Sequence, residues 1–188
     1  MNEAIFIIGL TFHGFLLLML VMSSKNEHFQ FWPPPKKNSW QYHSLWWSIR
    51  FLVMCIGWLS YNDFSSIFVP YWIRFYIAFP LCLATFFLGS IAGLQLGWRN
   101  THGEADCFVD TGFYKYSRNP QYVLFAVCFI FLGIWVASAK ALGLLALLSF
   151  WYLRAPFPEE KWLEQHYGEI YLDYKEKVPR YFGWSKNA

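Results

Sequence analysis

The chain has 188 residues, of which 56% are hydrophobic and only 14% charged, against roughly 25% charged in an ordinary soluble domain. Aromatic residues make up 23%, the net charge is +3 and the basic residues are scattered, so a nucleic-acid-binding surface is not expected. The apolar residues come in long runs rather than in alternation, which points to a helical protein of the bilayer.

A helix needs about twenty largely apolar residues to cross the hydrocarbon core. Ala4–Met22 is the first such run. No basic segment or small-residue cleavage site accompanies it, so a retained span is expected and not a signal peptide. Lys25, Glu27, Pro33-Pro34-Pro35, Lys36 and Lys37 break the pattern over residues 23–43, and three consecutive prolines cannot continue a helix. Ser44–Tyr61 is the second span, with Arg50 inside it, and 62–70 is a short turn. Tyr71–Gly97 is the third, long enough to tilt, with Pro80 as a candidate kink. Gly89, Gly93 and Gly97 put a smooth stripe along its end. That stripe suits a close neighbour, helix or ligand, and equally suits ordinary glycine use in a membrane helix.

Residues 98–120 are polar and irregular. Gln121–Ser138 and Ala141–Leu153 read as the fourth and fifth spans, an antiparallel hairpin turned by Ala139-Lys140. From Pro156 the chain is amphipathic and charged. The expected fold is therefore all-α and polytopic: one membrane domain over 1–188, with three spans in 1–97 and a loop, hairpin and cytoplasmic helical segment in 98–188. The four cysteines lack C-x-x-C spacing, so packed thiols are expected rather than disulfides or a zinc site.

Basic residues orient the chain. With the N-terminus outside, five spans put Lys25, Lys36, Lys37, Arg99, Lys115, Arg118, Arg154, Lys161, Lys175, Lys177, Arg180 and Lys186 in the cytoplasm, and only Arg74 and Lys140 outside. The polar segments 98–120, the start of the fourth span and the chain after the fifth then share the cytoplasmic mouth, a usual place for a membrane active site.

Three groups of residues at that mouth can carry chemistry. In Gly112-Phe113-Tyr114 through Arg118-Asn119-Pro120-Gln121-Tyr122, Pro120 suits the first turn of a helix and Asn119 its N-cap. The N–H groups of that helix start suit a carboxylate, and Tyr122 can stack on a base or sugar. A capped helix with interfacial anchors is the plainer alternative. In Arg154-Ala155-Pro156-Phe157-Pro158-Glu159-Glu160, the acids can accept hydrogen bonds from hydroxyls or an amine, and Arg154 can grip a carboxylate or phosphate. A dipole-favoured helix start with a snorkelling arginine explains the same residues. Tyr167, Tyr171 and Tyr174 recur at helical spacing, giving an aromatic face for a lid or a scaffold. His102 is the histidine best placed to act as a base, unless it is simply a solvated loop residue.

Together these segments resemble the isoprenylcysteine carboxyl methyltransferase family and its bacterial relatives, including phospholipid methyltransferases. The family pattern is a Gly-x-Tyr, an Arg-His-Pro-x-Tyr, a helical hairpin, a Glu-Glu, a Phe-Gly-x-x-Tyr-x-x-Tyr and a Val-Pro-Arg-like end. Here these stand as Gly112-Phe113-Tyr114, Arg118-Asn119-Pro120-Gln121-Tyr122, Glu159-Glu160, Tyr167-Gly168 through Tyr171 and Tyr174, and Val178-Pro179-Arg180. The likeness spans roughly 97–182.

The resemblance implies S-adenosylmethionine as methyl donor at the cytoplasmic mouth. It implies Tyr114, Asn119, Pro120, Tyr122, Glu159 and Glu160 as cofactor residues, with Asp106, Cys107, Phe108 and Val109 as the wrapping loop and Arg99 as a further contact. Arg154 falls at an arginine that the family places near the substrate carboxylate. Asn119 stands where histidine is usual, and an amide does not titrate, so no acid–base role is expected there. No metal is implied. The acceptor is expected to be a lipophilic or small carboxylate, thiol or amine, an isoprenylcysteine-like carboxylate among them. The alternatives are an NADPH-dependent reductase related to sterol reductases, which needs more basic residues for the 2′-phosphate than this loop holds, and a non-enzymatic membrane scaffold.

Overall fold

In lipid, a helix is the open-ended structure that satisfies every backbone N–H and C=O within its own segment, so the long apolar runs fold as helices. The computed structural model describes residues 1–26, 28–104 and 106–183. Glu27 and Lys186, named above for their charge, lie outside the described residues.

The elements run α1 (Asn2–Lys25), α2 (Trp40–Asn62), a π-helical turn (Ile73–Ala78), α3 (Phe79–Leu96), α4 (Trp98–Thr101), a 3₁₀ turn (Gly112–Lys115), α5 (Pro120–Val136), α6 (Ala139–Arg154), α7 (Pro156–Tyr167) and α8 (Glu169–Lys177). Three helical stretches are long and apolar enough to cross a membrane: Asn2–Lys25, Ile73–Leu96 and Ala139–Tyr167. Pro120–Val136 is apolar but shorter. α2 has 23 residues, with Gln41, Ser48, Arg50 and Asn62 diluting its apolar character. Large apolar side chains such as Ile7, Leu18, Phe51, Phe87 and Leu94 point outward, an arrangement a soluble monomer avoids and a bilayer rewards. The chain is an integral, multi-pass membrane protein.

The interior lies where α1, α2 and α6 meet, filled by Leu16, Leu20, Leu45, Leu52, Leu144, Leu145 and Leu148. α5 packs between α3 and α6. The glycine stripe makes the first of these contacts close: a Cβ on Gly89 would sit 3.3 Å from Leu124 Cβ, and one on Gly93 would sit 2.9 Å from Gln121 Nε2. Gly97, at φ +89° with nothing within 4 Å, instead ends α3. Pro80 has no N–H to donate, and the ladder before it widens into the π-turn, where the Phe79 N–H bonds Arg74 O.

The hairpin turns two residues earlier than its hydropathy suggests. Ala137 takes the left-handed conformation at φ 54°, and Ser138 accepts the Ala141 N–H at 3.2 Å as N-cap of α6, which draws Ala139 and Lys140 into the helix. Arg74 closes the turn. Its Nε donates to Trp135 O at 2.9 Å and its NH1 to Ser65 Oγ at 2.6 Å, so it serves a carbonyl that the end of α5 leaves open. The fifth apolar helix is likewise longer than expected. Pro156 and Pro158 fall in the first turn of α7, where a missing N–H is tolerated, so the helix runs on past Arg154.

These contacts sort the ends of the bundle. Glu3 pairs with Lys140 at 3.1 Å and Asn2 accepts from Trp58 Nε1 at 3.3 Å. At the opposite end Lys161 Nζ donates to Ser24 O at 2.9 Å. The segments 97–119 and 155–183 therefore meet at the end away from the N-terminus.

Candidate functional site

At that end, α3, the loop after it, the start of α5, α7 and α8 surround a cavity of about 610 Å³, counting the part open to solvent. The loop is folded against α3 by Asn100, whose Nδ2 donates to Cys107 O at 2.8 Å and whose Oδ1 accepts the Asp106 N–H at 2.9 Å. Gly112 makes the next turn at φ +62°, and a Cβ there would stand 2.4 Å from Gln95 Oε1. That same oxygen accepts the Phe113 N–H at 3.1 Å. Only glycine suits both the dihedral and the approach. The turn delivers Tyr114 into the wall, and Tyr174 Oη donates to Tyr114 O at 2.6 Å, fastening α8 across it.

Two acids line the cavity: Glu104, which pairs with Arg99 and Lys37, and Glu159, which makes no ion pair among the described residues. Tyr122 Oη and Trp32 Nε1 both donate to Glu159 Oε2, the latter at 3.0 Å. Trp32 comes from the proline-rich connection after α1, 127 residues away in sequence. Oε1 makes no hydrogen bond among the described residues and remains available to a ligand. The opposite wall is aromatic, with Phe108 between the rings of Tyr167 (5.4 Å) and Tyr174 (5.3 Å), and Tyr171 and Trp162 beside them. Burial pushes the phenols of Tyr114, Tyr171 and Tyr174 up from the ordinary range, so they stay neutral donors.

Of the residues expected from sequence, Cys107, Phe108, Val109, Tyr114, Asn119, Tyr122 and Glu159 line this cavity. Five do not. Pro120 is buried at the start of α5, behind the wall. Arg99 and Asp106 are both exposed and pair with each other at 3.0 Å, and Arg99 also pairs with Glu104 at 3.3 Å. Arg154 is exposed too, with its guanidinium 4.2 Å above the Phe157 ring. Glu160 is 2% exposed and faces away from the cavity, where it accepts from Arg180 Nε and NH2 at 3.0 and 2.9 Å.

Asn119 holds the N-cap position but makes no side-chain capping bond. Its Nδ2 donates to Glu160 Oε1 (3.1 Å) and Arg180 O (3.2 Å). His102 is packed against the Trp98 ring at 4.1 Å and the Trp46 ring at 4.9 Å, outside the cavity wall. Residues not expected from sequence also contribute to the wall, Asn100, Arg118, Gln121 and Trp162 among them. Tyr167, Tyr171 and Tyr174 close one side of the cavity, on the aromatic face that their spacing had shown.

The fold and this cavity define a helical membrane protein with a site at one end of its bundle, built from acids, a buried cation and clustered aromatics. The sequence profile of the phospholipid methyltransferase family matches residues 73–170, more than half of the chain, and the chain belongs to that family. This is a relative of the isoprenylcysteine carboxyl methyltransferase family and not that family itself. No curated protein and no solved structure matches the chain. The cofactor of the family is S-adenosylmethionine, and the donor set fits it. A carboxylate suits ribose hydroxyls or an ammonium, and aromatic faces suit adenine and a sulfonium.

Proposed function

We propose that this chain moves the methyl group of S-adenosylmethionine to a nucleophile carried by a membrane lipid, with the amine of a phospholipid headgroup as first candidate and a lipid-borne thiol or carboxylate after it. The observation that carries this reading is that the family-matched segment contributes Tyr114, Asn119, Tyr122 and Glu159 to one cavity at the end of a membrane bundle. When bound, the cofactor supplies an already activated methyl group. The protein then needs no covalent nucleophile and no metal: it has to orient the partners and exclude water.

In this reading Glu159 Oε1 binds the ribose hydroxyls or takes the proton that an ammonium acceptor releases, while Trp32 and Tyr122 fix the carboxylate through Oε2. Phe108, Tyr167, Tyr171 and Trp162 cover the nucleoside and keep water out. A second opening, lined in part by Ser23, Ser24, Trp32, Lys161, Trp162 and Glu164, shares Trp162 with the first and gives a headgroup its own approach. The charge asymmetry supports five crossings, with the N-terminus outside and the cavity facing the cytoplasm.

Binding tests the reading. In detergent or nanodiscs, S-adenosylhomocysteine is expected to raise the melting temperature and NADPH to leave it unchanged. Glu159→Gln is expected to weaken binding. Stabilisation by NADPH and not by S-adenosylhomocysteine would move the chain to the reductase alternative, and no shift with either would favour the scaffold.

A further inference from the structure

Beside the cavity two guanidinium groups share one carboxylate. Arg180 grips Glu160 as a fork, at 3.0 and 2.9 Å, and Asn119 Nδ2 adds a third donor at 3.1 Å. That leaves little for Arg118. Its NH1 stands 3.5 Å from Glu160 Oε2, inside ion-pair range but without a hydrogen bond. Its Nε and NH1 are closed off from solvent and have no hydrogen-bond partner, and NH2 has none among the described residues. The side chain is 8% exposed and lines the cavity. The other titratable groups of that wall do not neutralise it. Tyr171 and Tyr174 are phenols held neutral by burial, Glu104 pairs with Arg99 and Lys37, and Glu159 is committed to Trp32 and Tyr122 and makes no ion pair with it.

A buried guanidinium with unmade hydrogen bonds is costly, and such groups persist where a ligand completes them. The cavity thus keeps a positive group at Arg118 apart from the carboxyl of Glu159. We propose that Arg118 is a carboxylate-binding residue of this cavity, with Glu160 and Arg180 as the positioning residues that hold it in the wall. The ligand class is a zwitterionic amino-acid moiety, carboxylate toward Arg118 and ammonium or hydroxyls toward Glu159. The proposal rests on the S-adenosylmethionine reading, since that cofactor carries such a group.

The test is calorimetric titration of the full-length protein with S-adenosylhomocysteine and with its decarboxylated counterpart. The native chain is expected to prefer the former by about tenfold or more. Arg118→Met is expected to weaken S-adenosylhomocysteine about 10- to 100-fold and to leave the decarboxylated ligand within about threefold. Arg118→Lys, which keeps the charge but not the planar fork, is expected to lose an intermediate amount on the first ligand only, and it carries the test should the methionine variant not fold. Arg180→Gln is expected to show the same selective loss, with partial rescue by Arg180→Lys. An equal loss on both ligands, or a native chain that does not discriminate, overturns the proposal and leaves the cofactor reading standing. A native chain that binds neither ligand overturns both.

Discussion

Removing the Glu160 carboxylate should be the most damaging single change at this end of the molecule. Glu160 is 2% exposed and accepts three hydrogen bonds, one from Asn119 and two from Arg180, besides facing Arg118. Glu160→Ala leaves Arg118, itself 8% exposed, with no counter-charge. Breaking a buried ion pair from one side costs about 3–5 kcal/mol. For a chain of this size each kcal/mol moves the melting midpoint by about 2–4 °C, so a drop of about 6–20 °C is expected. Arg118→Met alone removes the surplus cation and leaves the Arg180–Glu160 fork intact, so it should cost far less. In Glu160→Ala/Arg118→Met the loss should be smaller than the sum of the two single losses, because the stranded charge has gone. The assay is thermal unfolding in one detergent, followed by tryptophan fluorescence. Additive losses, or a Glu160→Ala midpoint within about 2 °C of the native chain, would refute the view that Glu160 is the counter-charge that keeps Arg118 tolerable in the wall.

Other outcomes follow from the same structure. Gly112→Ala puts a side chain at φ +62° and 2.4 Å from Gln95 Oε1. Titration with S-adenosylhomocysteine should show weakened binding, while Gly57→Ala, which has nothing within 4 Å, should bind normally. Arg74→Met strips the bonds to Trp135 O and Ser65 Oγ and should cost about 1.5–3 kcal/mol of stability in an unfolding titration, with ligand affinity unchanged in what remains folded. The phenols of Tyr114, Tyr171 and Tyr174 are pushed up by burial. The fold therefore favours their protonated form: this contribution is full below the unfolded phenol pKa near 10 and is lost as pH rises above it. Alkaline absorbance titration should show these tyrosines ionising together with unfolding, and simple ionisation near pH 10 in a folded protein would contradict that. Cys107 is the exposed thiol of the cavity wall. A membrane-impermeant maleimide should label it from the cytoplasmic side, more slowly with S-adenosylhomocysteine bound.

The membrane character was legible because it rests on run length, which sequence displays directly. Ala4–Met22 and Tyr71–Gly97 agree with α1 and the π-turn–α3 stretch to within a few residues. The hairpin was displaced because its turn is set by a left-handed alanine and a serine cap, features that hydropathy does not weigh. At the cavity, Tyr114, Tyr122 and Glu159 could be found because local motifs carry them. Trp32 could not, since its bond to Glu159 spans 127 residues and arises from a proline-rich connection with no pattern of its own. Arg118 stood inside a recognised motif, but its importance depends on Arg180 having taken up Glu160, a three-body outcome that pair spacing does not reveal. Adjacent Glu159 and Glu160 look interchangeable in sequence, and the helix points one at the cavity and the other at the arginines.

The central claim is methyl transfer to a lipid-borne acceptor at this cavity. It is tested most directly by reconstituting the purified chain in vesicles that contain phosphatidylethanolamine, adding S-adenosylmethionine with a labelled methyl group, and counting label in the extracted lipid. The account predicts label in the lipid with the native chain and little or none with Glu159→Gln. Equal label with both proteins, or none with the native chain across amine, thiol and carboxylate lipids, would contradict it.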